Sequence, residues 1–308
     1  MTELGAVDVR GLEQLRELID GGDVVVLSGA GISTESGIPD YRGPNGRLRA
    51  RLPISIGEFT GSAAARRRYW ARAHAGWRRM AHASPNAGHR AVAELQRRGL
   101  LVGVITQNVD GLHQAAGARD VIELHGGLHD VICLDCGHVG SRAELDDRLR
   151  AANPGFAERT VAINPDGDAE LPADQIQAFA LVGCDRCGSD LVKPDVVFFG
   201  ENVPRPRVDR CYELVASSAL LLVLGSSLQV MSGLRFVHRA ARDGIPAAIV
   251  NRGVTRGDEH ALIKVDAPLG DTLTALVAEP GSAEQVRQLR TQVGDRRLER
   301  RDAVAQLL

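Results

Sequence analysis

The sequence predicts an α/β fold, a doubly wound parallel sheet with a smaller module beside it. Short apolar runs recur along the chain, helical patterns separate several of them, and a glycine turn follows the first run directly. In order, Leu12, Leu15, Leu18 and Ile19 fall at helical spacing, and Gly21-Gly22 ends that helix. The run VVVLS, ending at Ser28, reads as a buried parallel strand that enters Gly29-Ala30-Gly31. Further strands are expected at 100–106, 121–124, 196–199, 219–225 and 247–250. Helices are expected at 86–98, 205–217 and 232–243, the first capped by Ser84 with Pro85 in its first turn. Two stretches break the alternation. Residues 42–82 are rich in Arg and Ala, with helical potential at 63–80; residues 127–194 carry cysteine pairs and many Gly, Pro and Asp. Both read as insertions that form the smaller module of a domain spanning 1–280. Residues 281–308 read as a charged tail, a peripheral helix or a disordered end.

The chain has 308 residues, 44% of them hydrophobic and only 4% aromatic, so a sizeable core must be largely aliphatic. A net charge of −2 gives no general attraction to nucleic acid or membrane, and neither is expected as a partner. No stretch approaches the ~18 apolar residues of a membrane span. The first residues have neither a basic n-region nor an apolar h-region, so a cytoplasmic location is the default expectation.

Five cysteines are present, and Cys133, Cys136, Cys184 and Cys187 form two CxxC pairs. In a reducing compartment that pattern favours a metal over disulfides. Four thiolates suit tetrahedral zinc in a closed, structural site, and Gly137 and Gly188 follow the pairs as tight knuckles require. The 47 residues between the pairs must loop out as a subdomain. Cys211, alone on an expected helix, reads as core.

Gly29 and Gly31 lie between a strand and a helical stretch, the context in which backbone and helix N-terminus cradle a pyrophosphate in Rossmann-like folds. Thr34 stands where a third glycine would, and residues 45–56 hold no acidic residue to bind a ribose. An ordinary hydride-transferring dehydrogenase is therefore disfavoured.

The continuation to Gly43, GAGISTESGIPDYRG, resembles the NAD-binding loop of sirtuins. Thr106-Gln107-Asn108-Val109-Asp110 resembles their TQN-(I/V)-D motif, and His125-Gly126 their catalytic His-Gly. Gly225-Ser226-Ser227 and Asn251-Arg252 resemble the two later cofactor turns, each closing an apolar strand. The resemblance covers roughly residues 10–275 and implies an NAD-dependent protein-lysine deacylase. By it, Gly29, Ala30, Gly31, Ser33, Asp40, Tyr41 and Arg42 would line the phosphate and ribose loop. Gln107 would touch ribose, while Asn108 and Asp110 would line the nicotinamide pocket and serve catalysis. Gly225, Ser226, Ser227, Asn251 and Arg252 would hold the adenosine end, with Leu269 offering a backbone contact. In sirtuins the acyl oxygen of the modified lysine attacks the anomeric carbon of NAD and expels nicotinamide. A histidine, here His125, then activates a ribose hydroxyl, a role that suits a neutral imidazole. The products are free lysine, nicotinamide and O-acyl-ADP-ribose. His113 reads as structural, and His89, His129 and His138 carry no motif.

The segment 193–201 resembles the sirtuin strand that pairs with a substrate backbone, so Val197, Phe198, Phe199 and Gly200 would bind an acylated lysine on a protein. Tyr69-Trp70-Ala71-Arg72 resembles the Tyr-x-x-Arg pair that holds succinyl or glutaryl carboxylates in some sirtuins, since arginine binds carboxylates with a two-pronged fork. Most of the other arginines of 42–79 read as a solvated basic face. The stretch Asn164-Pro165-Asp166-Gly167-Asp168 resembles an extra loop of class II sirtuins, and Tyr41 replaces a phenylalanine common in acetyl-specific members. An acidic or bulky acyl group is therefore expected alongside acetyl. Mono-ADP-ribosyl transfer and lipoamide removal stand as alternatives at the same NAD site. A non-enzymatic NAD- or nucleic-acid-binding module is disfavoured because His125, Asn108 and Asp110 are all present.

Overall fold

A computed structural model describes residues 9–40, 54–156 and 169–278. Its main sheet is built from β1 (Val24–Ser28), β2 (Leu101–Thr106), β3 (Val121–Glu123), β7 (Leu220–Leu224), β8 (Ala247–Val250) and β9 (Ile263–Val265). These six strands are parallel and lie in the order β3-β2-β1-β7-β8-β9. Chain order runs outward from β1 to β3, then returns to the other side of β1, so the direction of winding reverses between β1 and β7. Ligands of open α/β sheets bind beyond the carboxyl ends of strands at such a point.

Every residue of β1 is buried, which explains its unbroken apolar run. Val24 and Val26 face a core closed by α1 (Val9–Asp20), α4 (Ala87–Arg97) and α10 (Leu269–Val277). Val25 and Leu27 face the opposite core, closed by α8 (Arg205–Ala216) and α9 (Met231–Arg242). Among the described residues, no helix is long and apolar enough to cross a membrane.

The smaller module holds β4 (Gly126–Cys133), β5 (Val139–Ser141) and β6 (Val192–Val196), an antiparallel sheet in the order β5-β4-β6. Around it lie α2 (Ile56–Gly61), α3 (Ala63–Ala81), α6 (Arg142–Ala152) and α7 (Ala173–Ala178); the short α5 (Leu112–Ala115) belongs to the main body. Arg142 is 2% exposed, its guanidinium lying 5.1 Å from the Trp70 ring and 4.6 Å from that of Trp77. It donates to Asp146 Oδ1 at 3.3 Å, and the His74 ring lies 2.6 Å from the same oxygen, so the buried charge is paired.

Several expectations shift. The expected strand 196–199 is no part of the main sheet: β6 ends at Val196 and pairs with β4. Its apolar continuation instead runs past the end of the main sheet, where Val197 N–H donates to His125 O at 2.8 Å. The cap of α4 is Asn86 rather than Ser84, because its side-chain oxygen accepts from Gly88 and His89 N–H while the His89 ring answers the Asn86 N–H. Strands β4, β5 and β9 had no expectation; β5 and β9 are only three residues long, too short to show periodicity. The tail 281–308 lies outside the described residues.

Candidate active site and metal centre

The turn after β1 is a 3-10 helix, Ala30–Ser36, ended by Gly37 in the left-handed region. It packs backbone to backbone on the turn after β7. Gly29 N–H donates to Leu224 O at 2.9 Å and Gly31 N–H to Gly225 O at 2.8 Å. A Cβ on Gly31 would lie 2.8 Å from Gly225 Cα, and one on Gly225 would lie 2.6 Å from Ile32 N. The two glycine turns are thus mutually required, and together they form the crevice at the switch point.

A polar network lies beneath this crevice. Asn108 Nδ2 donates to Gly29 O at 3.2 Å and to Ser33 Oγ at 3.0 Å, and Ser33 Oγ donates to Asp110 Oδ2 at 2.6 Å. Asp110 Oδ1 accepts from Leu112 N–H at 3.0 Å. Behind Ser33, His89 Nδ1 accepts the Asn86 N–H, which leaves the proton on Nε2, 3.4 Å from Ser33 Oγ. His113 Nε2 lies 2.9 Å from Ser28 Oγ, and its buried Nδ1 has no hydrogen-bond partner. Burial pushes His89 down to about 4 and His113 to about 3, so both are neutral.

His125 follows β3 and enters β4. Gly126 is required next to it: its φ is +80°, and a Cβ there would lie 1.9 Å from Asp195 O on β6. The His125 Nδ1 lies 2.9 Å from Gln107 O, a carbonyl that can only accept, so the ring proton sits on Nδ1. The Nε2 lone pair is therefore the basic position, and it faces Ser232 Oγ at 2.8 Å. Burial holds the His125 pKa below the usual value, and Arg207 and Arg235 add to the effect against the Gln107 hydrogen bond.

Gln107 Nε2 donates to Ser226 Oγ at 2.9 Å, joining the β2 and β7 turns. Asn251 Nδ2 donates to Arg252 O at 2.8 Å and Gly253 O at 3.3 Å, holding its own turn after β8. Leu269 opens α10 and reaches the Gly225 turn, whereas Arg252 is exposed and Ser227 is half-buried. Ala30 and Asp40 are half-buried at the two ends of the first turn. Tyr41 and Arg42 lie outside the described residues, as does the stretch 157–168. Of the residues expected at the dinucleotide, Gly29, Gly31, Ser33, Asn108 and Asp110 are joined by these contacts, as are Gln107 with Ser226 and Gly225 with Leu269.

On the other side of His125, Phe198 is buried and Phe199 is 47% exposed. Ile56 N–H donates to Phe199 O at 2.9 Å, and Phe198 N–H donates to Glu201 Oε2 at 2.9 Å. The buried Lys193 ammonium donates to Val196 O at 2.6 Å and pairs with Glu201 at 3.3 Å, fixing the bend after β6. The Tyr69 ring lies 5.2 Å from the Phe198 ring. Arg72, one helical turn on, donates to Ala169 O at 2.8 Å and to Glu170 Oε1 at 3.1 Å.

The four cysteine sulfurs of the two CxxC pairs lie within 4.8 Å of one another, with Cys133–Cys187 at 3.6 Å and Cys136–Cys184 at 3.8 Å. A tetrahedron with zinc–sulfur bonds of ~2.3 Å has edges of ~3.8 Å, so this donor set fits zinc with no position left open. The two knuckles match: Gly137 N–H donates to Cys133 O and Gly188 N–H to Cys184 O, both glycines at positive φ. Cys211 is buried against α9 and the sheet, as core. Ser232, Gly233 and His89 had no functional expectation. Gly233 leaves room for the Gln107 side chain, since a Cβ there would lie 2.5 Å from Gln107 Oε1. All three are distant in sequence from the motifs they support, and nothing local marks them.

A glycine crevice at a sheet's switch point, faced by a neutral imidazole, defines an α/β enzyme that works on a dinucleotide. Residues 29–232 match the family model described as the Sir2 family. The chain is 57% identical over 270 residues to "NAD-dependent protein deacetylase 1" of Streptomyces coelicolor, covering 88% of this chain and 90% of that one. It is 46% identical to "NAD-dependent protein deacylase Sirt4" of Drosophila melanogaster, covering 87% and 86%. A solved structure described as "Sir2-p53 peptide-NAD+" superposes with a TM-score of 0.70 at 31% identity, covering 88% of this chain and 98% of that one. The chain belongs to the Sir2 family.

Proposed function

We propose that the chain removes acyl groups from lysines of protein substrates by consuming NAD, with zinc as a structural ion. The observation that carries the mechanism is the His125 tautomer: the proton on Nδ1 is held by Gln107 O, leaving Nε2, which faces Ser232 Oγ at 2.8 Å, as the basic position. A neutral imidazole so fixed accepts the proton of a ribose hydroxyl at Nε2, and the lowered pKa keeps it neutral at pH 7. Asn108, Ser33 and Asp110 supply an amide, a hydroxyl and a carboxylate in one network at the nicotinamide end. Gly29, Gly31 and Gly225 let the two turns pack backbone to backbone; the phosphates would lie against these turns, with Ser226, Asn251 and Leu269 at the adenosine end. The substrate backbone adds as a strand beside 197–200. Zinc, when bound, crosslinks the two knuckles and holds β4 and β6 together; Cys133, Cys136, Cys184 and Cys187 are its ligands. The unit that does this is residues 1–280, with 281–308 outside it. The paired thiols favour a reducing compartment such as the cytoplasm.

The acyl group accepted extends beyond acetyl to acidic or bulky chains. What supports this reading is Tyr69 against the Phe198 ring with the Arg72 guanidinium one helical turn on, which an acidic acyl group would reach by displacing the Glu170 carboxylate. The test incubates the protein with NAD and matched acetyl, succinyl, glutaryl, hydroxymethylglutaryl and lipoyl peptides, following products by mass spectrometry. His125→Ala removes turnover on every peptide, and Arg72→Ala weakens turnover of the acidic ones alone. Turnover of acetyl only, or an equal effect of Arg72→Ala on all, removes the carboxylate reading. ADP-ribosylated protein without deacylation removes the deacylase reading.

A further inference from the structure

The base in this site already has a hydrogen-bond partner. Its Nδ1 is committed to Gln107 O, so the 2.8 Å contact at Nε2 is made by the Ser232 hydroxyl donating into the imidazole lone pair. That lone pair is the atom that must receive the ribose proton. The same helix end holds the neighbouring cofactor contact, because Gly233 provides the space into which Gln107 packs. Ser232 therefore sits on α9, a different element from those that carry His125 and Gln107, and reaches the base across the crevice.

We propose that Ser232 is a positioning residue that occupies the His125 lone pair in the free protein and is displaced from it by the ribose hydroxyl of NAD. One O–H donor replaces another at Nε2, so the exchange conserves the hydrogen bond. The serine holds the imidazole ring in place and its lone pair satisfied while the crevice is empty. Its share of the contact is surrendered on binding, so the residue opposes NAD in the ground state. This inference rests on the deacylase reading of the same crevice.

Loss of the hydroxyl leaves Nε2, in a largely buried ring, without its donor in the free protein, and NAD then restores what is missing. Ser232→Ala is expected to bind NAD about tenfold more tightly, the ratio set by about 1.4 kcal/mol. A residue that served only to support the fold would leave affinity unchanged or weaken it. Dissociation constants for NAD are measured by calorimetry on the zinc-loaded full chain, for wild type, Ser232→Ala, Ser232→Thr, His125→Ala and the Ser232→Ala/His125→Ala double variant. The proposal expects tighter binding in Ser232→Ala, a return toward the wild-type value in Ser232→Thr, and no effect of Ser232→Ala once His125 is absent. Unchanged or weaker NAD binding in Ser232→Ala overturns it. So does the same tenfold change in the His125→Ala background. Failure of the wild-type protein to bind NAD would instead remove the deacylase reading on which the inference rests.

Discussion

Acid should destabilise this protein through two buried histidines that lie behind the crevice. His89 and His113 lie with ring centroids 5.0 Å apart behind Ser33 and Ser28. Burial depresses them to about 4 and about 3, against about 6.5 for an exposed histidine. Between those values the unfolded chain binds protons that the folded chain refuses, so stability rises with pH. The contribution is whole above about pH 6.5 and is lost as pH falls toward the folded values. At pH 5 each ring has withdrawn about 2 kcal/mol, about 4 kcal/mol together, a large share of a typical 5–15 kcal/mol. Urea unfolding followed at pH 8, 6.5, 5.5 and 5 would show the fall. Other groups also titrate in this window, including the lowered His125 and, if zinc is bound, the cysteines that hold it. A comparison with His113→Asn cancels them, because it removes one refused proton and nothing else that titrates. Its stability should fall with pH less steeply than wild type by about 1.2 kcal/mol per pH unit between pH 5 and 6. Equal slopes would show that His113 is protonated within the fold at no penalty, and would refute burial as the cause of its neutrality.

Gly126→Ala should cost about 3 kcal/mol or more and abolish turnover, since the new Cβ meets Asp195 O at 1.9 Å on backbone at φ +80°. A thermal midpoint within 2 °C of wild type (roughly 0.5 kcal/mol) would contradict it. Removing zinc with a chelator should lower the melting temperature, with recovery on adding zinc back; full stability in protein shown by metal analysis to lack zinc would oppose the closed four-thiolate site. Arg142→Ala should cost about 3 kcal/mol in urea unfolding by stripping a buried partner from Asp146 and emptying the space between Trp70 and Trp77. A loss below about 0.5 kcal/mol, the range of an ordinary surface change, would show that His74 and Arg150 alone satisfy that carboxylate.

The parts of this protein legible in its sequence are those whose physics is local. A strand buried on both faces must be apolar at every position, and β1, β7 and β8 announce themselves that way. A chain that brings two backbones within contact must place glycine there, and Gly29, Gly31 and Gly225 mark the crevice by residue type alone. The zinc knuckles follow from thiolate spacing for the same reason. What the sequence hides is whatever depends on two distant elements meeting. The run 196–199 has the composition of a central strand, yet β4 captures the preceding residues through Val131, Ile132 and Cys133, and Gly126 permits the close approach at Asp195. Asn86 displaces Ser84 as the cap because His89 completes a reciprocal bond, and His89 is neutral only because the sheet and Ser33 bury it. Ser232 is the clearest case. Nothing in its neighbours distinguishes it from a helix-opening serine, and it acquires a role only when β4 delivers His125 within 2.8 Å of its hydroxyl. A binding motif shows where a ligand's charge is met, whereas the groups that set a base's tautomer and occupy its lone pair are chosen by tertiary contact, and only a fold reveals them.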